Sequence, residues 1–338
     1  MKAMVLAAGL GTRLRPLTYS VPKPMVPILN RPVMEHIVEL LAGQGFNEVI
    51  ANLHWFPDVV QSHFGDGNKF GVEMNYSYED DLLGTAGGVR GASDFFDGPF
   101  MVISGDALTD VDLVAMKEFH NSHDGIATLA TKKVEDTSEF GVVITDDDYR
   151  IQGFQEKPDP AEALSSLANC GIYMFDREIF DFFPAPGTSK LAAPGHPDGF
   201  ADWAMDVFPA LMDSGVPFYA HEVDAYWNDV GTIGEFIQGS FDGLTGKVEL
   251  AIEQPEIEPG LWVAEGTDLD GVDVSGPVLI GPGCRIARGA QLAGPLVMGA
   301  DCTIGVGARI KEAVLLDRTQ VNADSFAFGG ALGALPRG

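Results

Sequence analysis

Residues 4–27 read MVLAAGLGTRLRPLTYSVPKPMVP, and this stretch decides how the chain is interpreted. The apolar run as far as Ala8 predicts a buried strand, and the glycines behind it predict a tight loop. Residues 1–34 contain five Lys or Arg and no Asp or Glu, although the whole chain carries a formal charge of −28. A positive glycine loop in so acidic a chain indicates that an anion is held there.

Length and composition limit the class of protein. The 338 residues predict two domains, and 46% apolar residues suffice for a large core. The net acidity argues against nucleic acid or an anionic membrane as a partner. No stretch approaches the ~20 apolar residues that span a bilayer, and the N-terminus lacks the pattern of a signal peptide. Three cysteines do not form a disulfide framework, so we expect a protein of the reducing cytoplasm.

Residues 1–245 alternate short apolar runs with helical patterns. This alternation predicts an α/β domain with a Rossmann-like, mostly parallel sheet that is covered by helices on both faces. Ligands of such sheets bind beyond the carboxyl ends of the strands, and the loop over residues 6–27 follows the first strand.

A period of six residues replaces the helical patterns near the C-terminus and predicts a parallel β-helix over residues 271–322. The pattern resembles the left-handed hexapeptide β-helix, which takes three hexapeptides per coil and would stack Cys284 and Cys302 as buried thiols. We expect residues 246–270 to form a connector and residues 323–338 a poorly ordered tail. The apolar residues at the strict spacing of six are Val274, Ile280, Ile286, Leu292, Met298, Ile304, Ile310 and Leu316.

The turn Gly9-Leu-Gly11 would let the backbone approach a ligand closely. It is not a Walker loop, since no Gly-Lys-Ser/Thr follows, and Leu14 occupies the third glycine position of a dinucleotide fingerprint. Such a turn alone is weak evidence for a ligand. The cations of Arg13 and Lys23 strengthen it, because two fixed positive charges can stabilise a triphosphate.

The run LAAGLGTRLRPLT, followed by PKPM, resembles the signature of sugar-1-phosphate nucleotidylyltransferases, also called nucleotide-sugar pyrophosphorylases. The resemblance implies an enzyme that binds an NTP and a sugar 1-phosphate. On the same basis, Leu83-Gly-Thr-Ala-Gly-Gly88 implies a loop that faces the base. The residues expected to bind the nucleotide are Leu6, Ala7, Ala8, Gly9, Gly11, Thr12, Arg13, Lys23, Gly84, Thr85, Ala86 and Asp106.

Two aspartates are candidate ligands of Mg²⁺. Asp106 ends the run Ile-Ser-Gly-Asp at a predicted strand end, where a carboxylate can ligate the metal. The alternative role of Asp106 as a helix N-cap is weaker, since Asp110 is better placed for it. The sequence around Asp229 resembles the Trp-x-Asp-x-Gly element of the family, which implies that Asp229 is the second ligand, whereas Trp227 is expected to pack.

The sugar phosphate has its own candidate residues. Glu156-Lys-Pro and Asn169-Cys-Gly-Ile-Tyr resemble the sugar-phosphate elements of the family. Glu156 and Asn169 can hydrogen-bond sugar hydroxyls, and Lys157 can bind the phosphate as a point charge. Gly141 and Asp229 complete the set expected to bind the substrate.

Glu79 leaves two interpretations open. Its carboxylate could accept hydrogen bonds from N1–H and the 2-amino group of guanine, or it could be solvated like Asp80 and Asp81.

The sequence as a whole resembles mannose-1-phosphate guanylyltransferases most. We therefore expect direct, Mg²⁺-assisted attack of mannose 1-phosphate on GTP, with Arg13, Lys23, Asp106 and Asp229 as catalytic residues. The alternative is a glucose-1-phosphate thymidylyl- or uridylyltransferase. A hexapeptide acyltransferase is disfavoured because residues 271–338 contain no His, and a silent regulatory subunit because the candidate catalytic residues are kept. The open ends of a β-helix need covering, so we also expect a homo-oligomer.

Overall fold

The computed structural model describes residues 1–191 and 195–333, which divide into two units. The first unit comprises Met1–Gly9, Ile37–Ala107 and Val111–Trp227. The second comprises Leu10–His36, Leu108–Asp110 and the chain from Asn228 onward. The units are not contiguous segments, and the tertiary contacts of the second unit explain why.

Within the second unit, the N-terminal segment is bound to C-terminal residues. Asn30 Nδ2 donates a hydrogen bond to Met298 O (2.9 Å), and Arg31 Nη1 donates one to Ala251 O (3.2 Å). The segment Leu10–His36 therefore belongs structurally with residues that lie more than two hundred positions later.

The strands fall into an N-terminal and a C-terminal group. The N-terminal group is β1 (Lys2–Leu6), β2 (Pro27–Ile28), β3 (Arg31–Pro32), β4 (Glu48–Leu53), β5 (Glu73–Tyr78), β6 (Phe100–Ser104), β7 (Leu108–Thr109), β8 (Ala127–Lys133), β9 (Gly141–Thr145), β10 (Ile151–Glu156), β11 (Leu167–Phe175), β12 (Tyr219–Glu222) and β13 (Trp227–Asn228). The C-terminal group is β14 (Glu256–Glu258), β15 (Leu261–Val263), β16 (Asp273–Ser275), β17 (Val278–Ile280), β18 (Arg285–Ile286), β19 (Gln291–Met298), β20 (Thr303–Ile304), β21 (Arg309–Leu315), β22 (Gln320–Val321) and β23 (Phe326–Leu332).

The helices are short, and a π-helical turn over Trp203–Val207 leads directly into the fifth of them. The α-helices are α1 (Val33–Gly43), α2 (Pro57–Phe64), α3 (Gly84–Gly91), α4 (Leu113–Asn121), α5 (Phe208–Ser214) and α6 (Ile233–Leu244).

The first unit is built on a mixed sheet of nine strands. Strands β5, β4, β1 and β6 are neighbours in that order and run parallel, which is the predicted Rossmann-like arrangement. Strand β11 is antiparallel to β6, β8 and β9, and β9 is antiparallel to β10. The sheet is therefore mixed and not mostly parallel as expected, because β11 runs antiparallel to three strands and β9 and β10 form a hairpin.

The register of the sheet aligns the ends of β1 and β6. Leu6 is paired with Ser104, and the Gly105 N–H donates to Leu6 O (2.9 Å). Ala7 and Asp106 therefore follow neighbouring carboxyl ends, where ligands of such sheets bind. Strands β1 and β6 are buried on both faces, as expected for parallel strands covered by helices.

In the second unit, the C-terminal strands form two parallel ladders. One contains β15, β17, β19, β21 and β23, and the other contains β18, β20 and β22. Paired positions are 18 residues apart between Arg285 and Thr303 but 17 apart between Thr303 and Gln320. Helix α6 packs against β19, β21 and β23.

Six of the eight apolar positions at the spacing of six are buried, and the register between these ladder strands shifts once. Met298 is paired with Leu315, not with Leu316 as the strict spacing predicts, because the register between β19 and β21 shifts after Ala293. Cys284 and Cys302 are buried, and their Sγ atoms donate to Gly299 O (3.1 Å) and Leu316 O (3.3 Å) as thiols. Buried at these positions are Ile280, Leu292, Met298, Ile304, Ile310 and Leu316.

The limits of the ladders differ from the expectation. The first ladder strand is β15, which begins at Leu261 within the expected connector, and β14 pairs with it in antiparallel orientation. The expectation of a poorly ordered tail is wrong for Phe326–Leu332, because this segment pairs with β21 and continues the ladder. Residues 334–338 of that tail lie outside the described residues. Among residues 1–191 and 195–333, no helix is long and apolar enough to cross a membrane.

Candidate active site

Lys23 packs against the backbone of Gly11 in the second unit. Gly11 has φ of +59°, and a Cβ there would lie 2.9 Å from both Lys23 Cβ and Thr18 Cγ2. Thr18 Oγ1 donates to Gly11 O (2.7 Å), which fixes the turn. The sequence therefore needs glycine at position 11 for its conformation and for the close approach of Lys23.

Arg13 lies beside the loop that carries Asp229. A Cβ at Gly231 would lie 3.3 Å from Arg13 Nη2, so the guanidinium passes directly over this glycine. The loop is held by the start of α6, where Glu235 N donates to Thr232 Oγ1 (3.3 Å) and Gly231 N donates to Glu235 Oε2 (3.0 Å). This reciprocal capping orients the residues that precede the helix. The structure thus brings Arg13 and the Asp229 loop together within the second unit.

Asp106 is half-buried in the first unit, immediately after β6, as predicted. Ser104 Oγ donates a short hydrogen bond to Asp106 Oδ1, which orients the carboxylate. The N-cap interpretation of Asp110 is wrong. Helix α4 begins at Leu113, and Asp112 caps it by accepting from Ala115 N (2.8 Å).

A cavity of about 620 Å³ opens in the first unit beside the carboxyl ends of β1 and β6 and along β11. It brings together predicted nucleotide residues and predicted sugar residues, although they lie far apart in the sequence. Glu156 also faces Gly141, since a Cβ at that glycine would lie 3.1 Å from Glu156 Oε2. Lys157 is exposed beside this pair and has φ of +45°. The predicted residues that line the cavity are Leu6, Thr85, Glu156 and Asn169.

Three further polar residues line the cavity and were not predicted to bind a substrate, namely Ser104, Tyr173 and Asp202. Tyr173 Oη accepts from Asn169 Nδ2 (3.0 Å), and burial raises the pKa of this phenol above its usual value. Asp202 Oδ2 accepts from Thr85 Oγ1 (2.8 Å). Tyr173 closes the Asn-x-Gly-Ile-Tyr element, so the motif offered a signal for it. Asp202 has no comparable signal, because it reaches Thr85 across 117 positions.

The loop that begins α3 is attached to the segment before the π-helical turn. Ala86 N and Gly87 N both donate to Ala201 O (3.0 Å), and a Cβ at Gly84 would lie 2.5 Å from the same oxygen. Because Gly84 has φ of +78°, glycine is required here for conformation as well as for space.

The interpretation of Glu79 as a solvated carboxylate is wrong. The residue is 7% exposed, while its neighbours Asp80 and Asp81 are exposed. Trp227 packs as expected, because its indole N–H donates to Cys170 O (3.0 Å) and its ring contacts Phe140.

The candidate metal ligands have suitable chemistry for Mg²⁺. Asp106 and Asp229 each offer carboxylate oxygens from a loop that hydrogen bonds orient, and Mg²⁺ is commonly held by one or two carboxylates together with substrate phosphates. Across the part of the chain that the structure describes, there is no cluster of three or more His, Cys, Asp or Glu side chains that could hold a metal by themselves. A site of this kind would depend on the substrate for its remaining ligands.

Comparison with known proteins finds relatives that are named as sugar-1-phosphate nucleotidyltransferases. A UTP–glucose-1-phosphate uridylyltransferase from Synechocystis is 39% identical, covering 86% of this chain and 81% of that protein. A mannose-1-phosphate guanylyltransferase from Mycobacterium tuberculosis is 35% identical, covering 86% of this chain and 76% of that protein. A solved structure from Bacillus anthracis, provisionally named glucose-1-phosphate thymidylyltransferase and in complex with sucrose, is 26% identical with a TM-score of 0.63. It covers 74% of this chain and 97% of that one.

The family model described as nucleotidyl transferase matches residues 2–245, well over half of the sequence. The chain therefore belongs to the nucleotidyl transferase family, and its relatives include proteins named as sugar-1-phosphate nucleotidyltransferases.

Proposed function

We propose that the protein transfers a nucleotidyl group from an NTP to a sugar 1-phosphate and releases pyrophosphate. The observation that carries this proposal is the cavity in the first unit, where Thr85 from the predicted base loop meets Glu156 and Asn169 from the predicted sugar elements. The family assignment and the names of the relatives support the same reaction.

The reaction needs no nucleophilic side chain. An oxygen of the sugar 1-phosphate attacks the α-phosphorus of the NTP in line, and the bond to the leaving pyrophosphate breaks. Arg13 and Lys23 bind the triphosphate and stabilise the charge that develops on the leaving group. Lys157 binds the phosphate of the sugar substrate, while Glu156 and Asn169 hydrogen-bond its hydroxyls.

Asp106 and Asp229 are proposed to hold Mg²⁺. When bound, the metal would neutralise phosphate charge. The half-buried position of both aspartates and the orienting hydrogen bond from Ser104 to Asp106 support this assignment.

The nucleotide and the sugar are proposed as GTP and mannose 1-phosphate, giving GDP-mannose. The guanylyltransferase from Mycobacterium tuberculosis supports this choice. A second candidate pair, UTP with glucose 1-phosphate, is favoured by the 39% identity to the uridylyltransferase from Synechocystis.

One experiment tests the reaction and separates the two pairs. Pyrophosphate release is measured with GTP, UTP, dTTP and ATP, each combined with mannose 1-phosphate and with glucose 1-phosphate. The proposal expects the highest kcat/KM for GTP with mannose 1-phosphate. A preference for UTP with glucose 1-phosphate would select the second pair, and no release with any of the eight pairs would refute nucleotidyl transfer.

The C-terminal ladders are proposed to form a left-handed β-helix that covers its ends in a cytoplasmic homo-oligomer. The 17- or 18-residue spacing of paired strands and their apolar interior support the β-helix. Light scattering across micromolar concentrations tests the oligomer, and a single monomer peak would contradict it.

A further inference from the structure

Asn52, the fifth residue of β4, links the ends of two other strands by hydrogen bonds. Its Oδ1 accepts from Ala7 N (2.8 Å), at the position where β1 ends. Its Nδ2 donates to Glu79 Oε1 (2.7 Å), just after β5. Glu79 Oε2 then accepts from Leu83 N (2.9 Å), the residue before α3. These three bonds form one unbroken relay from the backbone of Ala7 to the backbone of Leu83.

The relay is enclosed by protein. Asn52 is 3% exposed and Glu79 is 7% exposed. A Cβ at Gly88 would lie 2.6 Å from both Asn52 Nδ2 and Glu79 Oε1, so α3 passes directly over the relay and needs glycine there. A buried hydrogen bond in such a place is expensive to lose, because water cannot replace the missing partner.

The relay has a fixed polarity. The backbone N–H groups at both ends can only donate, so the relay must present an acceptor to each of them. An amide at position 52 and a carboxylate at position 79 meet this requirement, and so does the exchanged pair, a carboxylate at 52 and an amide at 79. Any other combination of these two groups places two donors or two carboxylate oxygens against each other.

The two backbone segments at the ends of the relay are both expected to bind the nucleotide. Ala7 and Ala8 begin the glycine loop, and Leu83 leads into Gly84 and Thr85, of which Thr85 lines the cavity. The distance between these segments therefore sets the width available to an NTP in the first unit.

We propose that Asn52 and Glu79 are positioning residues for the NTP, because their relay fixes the backbone at Ala7 relative to the backbone at Leu83. The proposal rests on the proposed function. It deepens that function by assigning Glu79 a role that acts through Leu83, in place of the earlier alternatives of base contact or solvation.

The exchange of polarity provides the test, with the variants Asn52→Asp, Glu79→Gln and the double variant N52D/E79Q. The first single variant brings two carboxylates together at hydrogen-bond distance, which is repulsive. In Glu79→Gln, the new amide must turn its N–H₂ group towards either Asn52 Nδ2 or Leu83 N. Both of these groups are donors, so one hydrogen bond is lost. The double variant restores an acceptor to each backbone N–H, a donor between the side chains, and the original net charge.

Binding of GTP and of UTP is measured for each protein by calorimetry, and KM is measured for the NTP and for the sugar 1-phosphate. Each single variant is expected to weaken NTP binding by about tenfold or more, the scale of one unsatisfied buried hydrogen bond. The KM for the sugar 1-phosphate should change by less than about twofold. The double variant should recover NTP binding to within about threefold of the wild type. The exposed neighbour provides the control, since Asp80→Asn removes the same charge as Glu79→Gln and should leave NTP binding unchanged.

Two results would overturn the proposal. One is a double variant that binds NTP no better than the weaker single variant. The other is a parallel rise of both KM values together with a lowered melting temperature, which a general loss of structure would produce. If the wild type binds GTP or UTP but releases no pyrophosphate, the proposed function fails, and calorimetry on the same four proteins still tests the relay. If it binds neither nucleotide, the relay proposal is refuted as well.

Discussion

Gly231 lies under the guanidinium of Arg13, since a Cβ at position 231 would come 3.3 Å from Arg13 Nη2. The same Cβ would lie 3.3 Å from Glu235 Oε2, the oxygen that holds the Gly231 N–H. The loop that presents Asp229 is therefore packed closely against the side chain of Arg13, which is proposed to bind the triphosphate.

Gly231→Ala is expected to displace the Arg13 guanidinium by a few tenths of an ångström and to lower kcat/KM for the NTP on the order of tenfold. The matched control is Gly234→Ala in the first turn of α6, because Gly234 is exposed and a Cβ there would lie 3.8 Å from Thr232 Oγ1, an ordinary contact. Steady-state kinetics on both variants checks the prediction, and equal losses in the two would contradict it.

Lys23→Ala is expected to lower kcat by about 10²-fold or more, the usual loss when one preorganised charge that stabilises a transition state is removed. Lys69→Ala is the control, since Lys69 is an exposed lysine outside the proposed site. Pyrophosphate release at saturating substrates is the measurement. Turnover near that of the wild type in Lys23→Ala would remove Lys23 from the mechanism.

Asp106→Ala is expected to abolish the dependence of activity on Mg²⁺ together with most of the activity. The control is Asp112→Asn, which keeps a side-chain oxygen to cap α4 and removes a nearby carboxylate. Activity is titrated against Mg²⁺ concentration for both variants. A Lys23→Ala or Asp112→Asn protein should retain the dependence, whereas an Asp106→Ala protein still activated by Mg²⁺ would exclude Asp106 as a ligand.

The features predicted correctly from the sequence are those that a local pattern determines. The apolar run before Asp106 placed this carboxylate after a strand, and the alternation of apolar runs with helical patterns predicted the parallel strands of the Rossmann-like sheet. The pairing of Met298 with Leu315 was missed, because one residue fewer in a turn shifts the register without changing the apolar pattern. The hydrogen bond between Thr85 and Asp202 was missed because it depends on tertiary structure alone.

The cap of α4 shows a further reason why the sequence alone does not predict every structural detail. Asp110 and Asp112 are chemically equivalent candidates two residues apart, and only the observed start of the helix at Leu113 distinguishes them. Helix ends are uncertain by this amount whenever two capping residues are available. The buried relay through Asn52 and Glu79 was missed for a related reason, since the acidic run that contains Glu79 suggests a solvated surface.

A histidine cluster in the first unit is expected to make stability depend on pH. His123 Nδ1 accepts from Gly125 N (3.1 Å), and His123 Nε2 lies 3.0 Å from Thr128 Oγ1, which also contacts His120 Nδ1 (2.8 Å). Burial and the neighbouring His120 lower the pKa of His123 to about 4, against the raising effects of Asp124 and Asp176. Burial also lowers the pKa of His120.

The direction of the effect follows from these pKa values. The unfolded chain binds protons at its histidines near pH 6.5, while the folded chain holds His123 neutral down to about 4. The unfolded state therefore binds more protons in this window, so stability is fully present above about pH 6.5 and falls as the pH drops towards 4. His123→Phe should flatten the loss of melting temperature between pH 7 and pH 5, whereas His196→Phe, which changes an exposed histidine, should not. Melting curves at half-unit steps test this, and parallel curves for the wild type and His123→Phe would show that the cluster does not set the acid limit of the fold.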